Sequence, residues 1–168
     1  MILGMSLSTY TTLHVVLSLI AIFTGFIVVF GLFASKKMGG MTAIFLLTSI
    51  LTSAGGLLFP NNHITPGIIT GIISLVVLLI AIIARYALHL SGASRGIYAV
   101  SAVFALYLNF FVLVAQGFMK VSFLHSLAPT QKEPPFFIAQ GIALVLFIVF
   151  GVTAAKKFHP GHQPPTRP

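Results

Sequence analysis

Apolar residues fall in five long runs, 11–34, 41–59, 66–88, 97–119 and 136–155, separated by short polar breaks. An α-helix needs about 20 such residues to cross the hydrocarbon of a bilayer, and it satisfies its backbone polar groups internally. The runs therefore predict five transmembrane helices. The first three breaks carry turn-forming residues: Ser35-Lys36-Lys37-Met38-Gly39-Gly40, then Pro60-Asn61-Asn62-His63-Ile64-Thr65-Pro66, then Ser91-Gly92-Ala93-Ser94-Arg95-Gly96. Breaks this short imply antiparallel neighbours. The expected architecture is all-α: one integral membrane domain over residues 1–158 and a Pro-rich flexible tail over 159–168.

Polar residues within the runs predict which faces turn inward. In the second run Thr48, Ser49, Thr52, Ser53, Gly55 and Gly56 make a small, hydroxyl-bearing face, and in the third Gly67, Gly71 and Ser74 recur at helical spacing. Small residues let helices approach closely, so these two faces are expected to meet, or to serve self-association or docking on another membrane subunit. His14, Ser18, Ala21 and Gly25 form a comparable stripe in the first run.

Composition agrees: of 168 residues, 58% are hydrophobic and 6% are charged, against roughly 25% charged in soluble domains. The formal charge of +8 could signal nucleic acid, but its distribution argues otherwise. Lys36, Lys37, Arg85, Arg95, Lys156, Lys157 and Arg167 fall on one side of the predicted membrane, and only Lys120 and Lys132 on the other. The positive-inside rule then places the N-terminus outside and the C-terminus in the cytoplasm, with the first run kept as a membrane helix and not removed as a signal peptide. Arg85 and His89, four apart, are expected to reach out to the inner interface. Cysteine is absent, which removes disulfides and thiolate chemistry.

Candidate chemistry concentrates around the fourth run and the segment after it. Asn109, Gln116 and Lys120, at intervals of seven and four, share one helical face. Glu133, the only acidic residue of the chain, sits in the segment 127–135, with Lys120 or Lys132 as its expected partner, and Gln140 follows early in the fifth run. With His14, these residues predict an outward-facing polar recess lined by His14, Asn109, Gln116, Lys120, Glu133 and Gln140. His14, His63 and His125 fall on the same side, but their spacing matches no metal or haem signature. No cofactor is predicted, with haem or a metal through these histidines kept as an alternative. A single carboxylate excludes a carboxylate dyad within the chain, and no nucleophile elbow or phosphate-binding loop is present.

The stretch Leu108-Asn109-Phe110-Phe111-Val112-Leu113-Val114-Ala115-Gln116-Gly117-Phe118-Met119-Lys120-Val121, followed by Leu127-Ala128-Pro129-Thr130-Gln131-Lys132-Glu133-Pro134-Pro135-Phe136, resembles uncharacterised small bacterial multi-pass membrane proteins. That resemblance implies a bacterial inner-membrane location and brings no activity, substrate or cofactor. Three functions follow as expectations. The first is a non-enzymatic protein that binds or passes a small polar or amphipathic ligand through the recess. The others are an accessory subunit of a membrane complex and a haem- or quinone-linked redox protein.

Overall fold

A computed structural model describes residues 2–161; His162, Arg167 and the rest of the predicted tail from 162 onward lie outside the described residues. Every long element among them is helical, and five helices are long and apolar enough to cross a membrane. They define a multi-pass membrane protein.

Helix α1 (Leu7–Phe33) starts four residues before its apolar run, because Ser6 accepts a hydrogen bond from the Thr9 N–H and caps the first turn. The hydroxyls of Thr11 and Thr12 close on the carbonyls of Leu7 and Ser8 and so keep that polar turn helical. Helix α2 (Gly39–Leu57) follows a loop in which Ser35 and Met38 take positive φ. Helix α3 (Pro66–Ile82) is capped by the Thr65 hydroxyl, with Pro66 in its first turn, where no N–H is needed. It continues into a π-helical turn, Ile83–Ala87. Helix α4 (Ser94–Lys120) is followed by a short α5 (Ser122–Leu127), which the apolar pattern does not mark, and by α6 (Pro134–Lys157).

Helices α1, α2, α3 and α4 pack in that order as a closed ring, and α6 lies along α4 and the edge of α1. The ring has two unlike halves. Toward the end that carries Lys36, Lys37, Arg95, Lys156 and Lys157, the basic end, its centre is filled by Val28, Leu32, Phe45, Leu78, Tyr98 and Leu106, all essentially buried. Gly25 makes this possible: Leu106 and Phe45 come so close that a Cβ on Gly25 would lie 2.6 Å from Leu106 Cδ1 and 2.9 Å from Phe45 Cε2.

Toward the other end the small face of α2 meets α3, as expected. A Cβ on Gly71 would sit 3.3 Å from both the Ser53 carbonyl oxygen and Leu57 Cδ2. Ser49, Thr52, Ser53 and Ser74 take the places that large side chains fill lower down, and they leave the centre of the ring hollow.

One charged residue departs from expectation. Arg85 does not extend to the interface; it is only 9% exposed and turns inward, while His89 is exposed. Helical spacing accounts for this: Arg85 follows Ala81 by four residues and so continues the buried stripe of Ser74, Val77, Leu78 and Ala81 into the π-helical turn.

Candidate functional site

The hollow half of the ring is a recess of about 500 Å³, walled by all four ring helices and by the 58–65 connection. That volume lies within the range of small-molecule sites. Four of the six residues chosen from sequence line it: His14 from α1 and Asn109, Gln116 and Lys120 from α4. The spacing of the α4 residues delivers them to the recess at successive depths, with Lys120 at the end of the helix and Asn109 three turns deeper.

Asn109 forms the polar floor with α2: its side-chain amide donates to Ser49 Oγ at 3.0 Å across the ring. Thr52 stands beside this bond, one turn further along α2. Thr24 and Thr48 donate to the carbonyls of Ile20 and Ile44 four residues back, the usual refuge of a membrane hydroxyl. The buried Thr52 hydroxyl makes no such bond and has no partner. The sequence marks Thr52 only as part of a packing face, since nothing in the spacing separates it from Thr48.

His14 is held higher up by aromatic contacts. Its ring meets Phe59 edge-on at 5.2 Å, and Tyr10 packs on Phe59 and donates to the Gly55 carbonyl at 2.9 Å. Gly56 leaves room for the imidazole, because a Cβ there would meet only His14 Cε1, at 3.6 Å. Val15, Leu19, Ile22, Ile68, Val112 and Leu113 supply apolar wall between these polar points.

Glu133 and Gln140 are not among the residues that line the recess. Gln140 joins α6 to α4 by donating from Nε2 to the Phe111 carbonyl at 3.1 Å, and its buried Oε1 has no partner. Glu133 does not pair with the ammonium of Lys120 or Lys132. Its carboxylate turns back into its own loop and accepts from the Thr130 N–H, the Thr130 hydroxyl at 2.7 Å and the Lys132 N–H at 3.0 Å. Although Glu133 stands at the N-cap position of α6, its side chain does not cap the helix. The physical reason is proximity, since three donors within three residues reach it before any lysine from another element. Gln131 anchors the same loop by donating to the Ala115 carbonyl at 2.7 Å, a role the sequence does not signal.

The Thr130 hydroxyl bond, with the loop N–H groups, holds the Glu133 carboxyl below its ordinary value. A lowered folded value means that the loop bonds contribute order above the usual carboxylate range, about 4.3, and lose it as pH falls through the folded value. Hydrogen exchange at the Thr130 and Lys132 amides, corrected for intrinsic rate, is expected to show protection at about pH 6 that declines as the pH is lowered below the usual carboxylate range. Protection unchanged after the carboxylate is removed in Glu133→Gln would mean that the carboxylate does not hold the loop.

The other two histidines at the recess end go separate ways. His63 is exposed in the 58–65 connection, and His125 meets the Phe118 carbonyl through Nδ1 at 3.3 Å. Among the described residues no three His, Cys, Asp or Glu side chains gather as a metal-binding group.

A second hollow of about 480 Å³ runs between α4 and α6, lined by Val100, Phe104, Tyr107, Ile148 and Val152, with Lys156 at one end. It is a groove of the kind that acyl chains fill. The four-helix recess differs from it in carrying hydrogen-bonding groups from every wall. Comparison of the chain with protein-family profiles, curated proteins and solved structures finds no match.

Proposed function

We propose that this protein binds, or passes, a small amphipathic molecule in the four-helix recess. The observation that carries the reading is convergence: polar residues from all four ring helices border one hollow whose remaining wall is apolar. Lys120 is a cation at its rim, and the lone carboxylate of the chain is engaged elsewhere. The occupant therefore has an apolar body that fits the aliphatic wall and a hydrogen-bonding or anionic head. Thr52, rotated about χ1, offers a hydroxyl to that head.

The excess of Lys and Arg at the opposite end supports an orientation in which the recess faces outward and both the basic end and the C-terminus face the cytoplasm. A bacterial inner membrane fits the resemblance of the 108–136 stretch.

Native mass spectrometry of the protein, purified gently from its own membrane, tests the reading. A reproducible small-molecule adduct is expected. Thr52→Val should weaken it by about tenfold through loss of one hydrogen bond, while the empty protein becomes no less stable, since the removed hydroxyl had no partner. Wild-type protein that carries no adduct, or an adduct indifferent to Thr52→Val and Gln116→Leu, would sink the proposal. Polypeptides that co-purify in fixed ratio would instead support the subunit reading.

A further inference from the structure

We propose that the basic end holds a second binding site, independent of the recess, for a phosphate oxyanion, formed by the Arg85 guanidinium and the first turn of α2.

Arg85 carries a charge that no described residue neutralises. Arg85 is 9% exposed, and buried cations are normally paired with an anion. The only acidic side chain, Glu133, lies beyond the opposite ends of the helices and is occupied by its own loop. Among the described residues the guanidinium meets one carbonyl and two aromatic rings. Nη2 donates to the Lys37 carbonyl at 2.8 Å, and the planar group lies 5.1 Å from the centre of the Tyr98 ring and 5.6 Å from that of Tyr86. The ring faces attract the cation but accept no strong hydrogen bond, and among the described residues Nη1 has no hydrogen-bond partner.

The second observation is where the guanidinium sits. Nη2 lies 3.9 Å from the position a Cβ on Gly39 would take, so Arg85 abuts the first residue of α2. This helix start has no side-chain cap: Met38 stands at the N-cap position in a left-handed conformation and makes no capping bond. The N–H groups of Gly39, Gly40 and Met41 find no acceptor among the described residues. Free N–H groups at a helix start, backed by the helix dipole, bind anions. Two glycines leave that backbone bare, since a Cβ on Gly40 would meet nothing within 4 Å. A carboxylate side chain would be the ordinary solution at such a place. This protein instead puts a cation beside an already electropositive helix start, and both features are complemented at once by an external oxyanion. Phosphate suits it, because a guanidinium and consecutive N–H groups can be satisfied together by oxygens of one tetrahedral group. The source is either the headgroup of an anionic phospholipid or a soluble phosphate compound.

The test uses the full chain in neutral detergent, followed by native mass spectrometry with phosphatidylglycerol and phosphatidylcholine of matched acyl chains. The wild type is expected to hold phosphatidylglycerol about tenfold more tightly. Gly40→Asp supplies an internal carboxylate at the helix start and should abolish that preference, as should Arg85→Gln. Gly40→Asp leaves Arg85 in place, so the test survives a failure of Arg85→Gln to fold. Gly96→Asp is the control. It makes the same charge change at the same end, in the first turn of α4 and two residues from Tyr98, hence on another face; it should keep the preference. Displacement of phosphatidylglycerol by millimolar inorganic phosphate would identify a soluble occupant, and resistance to it a lipid headgroup. Equal retention of both lipids with no effect of inorganic phosphate on thermal stability, or equal effects of Gly40→Asp and Gly96→Asp, overturns the proposal.

Discussion

Gly25→Leu is expected to destabilise the protein by about 3 kcal/mol, the upper part of the usual range for overpacking a filled core. Even the Cβ alone would enter contact distances of 2.6 Å to Leu106 and 2.9 Å to Phe45. Neither neighbour can retreat, because both are fully buried where α1, α2 and α4 converge. Gly25→Ala should cost about 1–3 kcal/mol for the same reason. Gly96→Ala, where a Cβ would meet nothing within 4 Å, should gain up to about 1 kcal/mol from helix propensity. Denaturant titration in mild detergent, followed by circular dichroism, measures all three. Equal stability of the Gly25 and Gly96 variants would mean that the close approach at Gly25 does not organise the ring.

Gly56→Leu is expected to empty the recess without harming the fold. The added side chain starts from a helical position where a Cβ meets only His14 Cε1 at 3.6 Å, and it extends along the recess wall. Replacing glycine within a helix should itself help stability by a fraction of a kcal/mol. The loss of space should lower occupancy by the native adduct on the order of a hundredfold, equivalent to about 2.7 kcal/mol. Native mass spectrometry reads the occupancy and thermal unfolding reads the fold. An adduct retained at wild-type level in a folded Gly56→Leu protein would place the ligand outside the recess. A protein that fails to fold would show that the hollow is needed structurally, contrary to the fold-neutral result expected here.

Much of this organisation is legible in the sequence because membrane helices have few ways to hide polarity. Five apolar runs give five helices, and the seven- and four-residue spacing of Asn109, Gln116 and Lys120 places all three on one wall. What spacing cannot supply is the partner across a gap. Glu133 looks available to Lys120 on sequence grounds, yet Thr130 and Lys132 reach it first. Thr48 and Thr52 are equivalent in pattern, but only Thr48 closes on its own helix. Arg85 continues the buried stripe of Ser74, Val77, Leu78 and Ala81, but a cation at a helix end reads as one that reaches for water, and the Lys37 carbonyl that holds it inward lies 48 residues away. Helix α5, too short for a periodic signal, goes unseen.

The ring is filled at one end and hollow at the other, so its two ends differ in what holds them together. Around Gly25, Phe45, Leu78 and Leu106 the helices are locked by contact on every side. Beyond Ser49 the same helices face a hollow, and there they are joined at their edges, by the close approach at Gly71 and the Tyr10–Gly55 bond, and not through a filled centre. That end is also where the long connections 58–65 and 121–133 lie. On the proposed reading, a molecule that enters the recess does so at the end whose centre is open, while the filled end keeps the four helices in register.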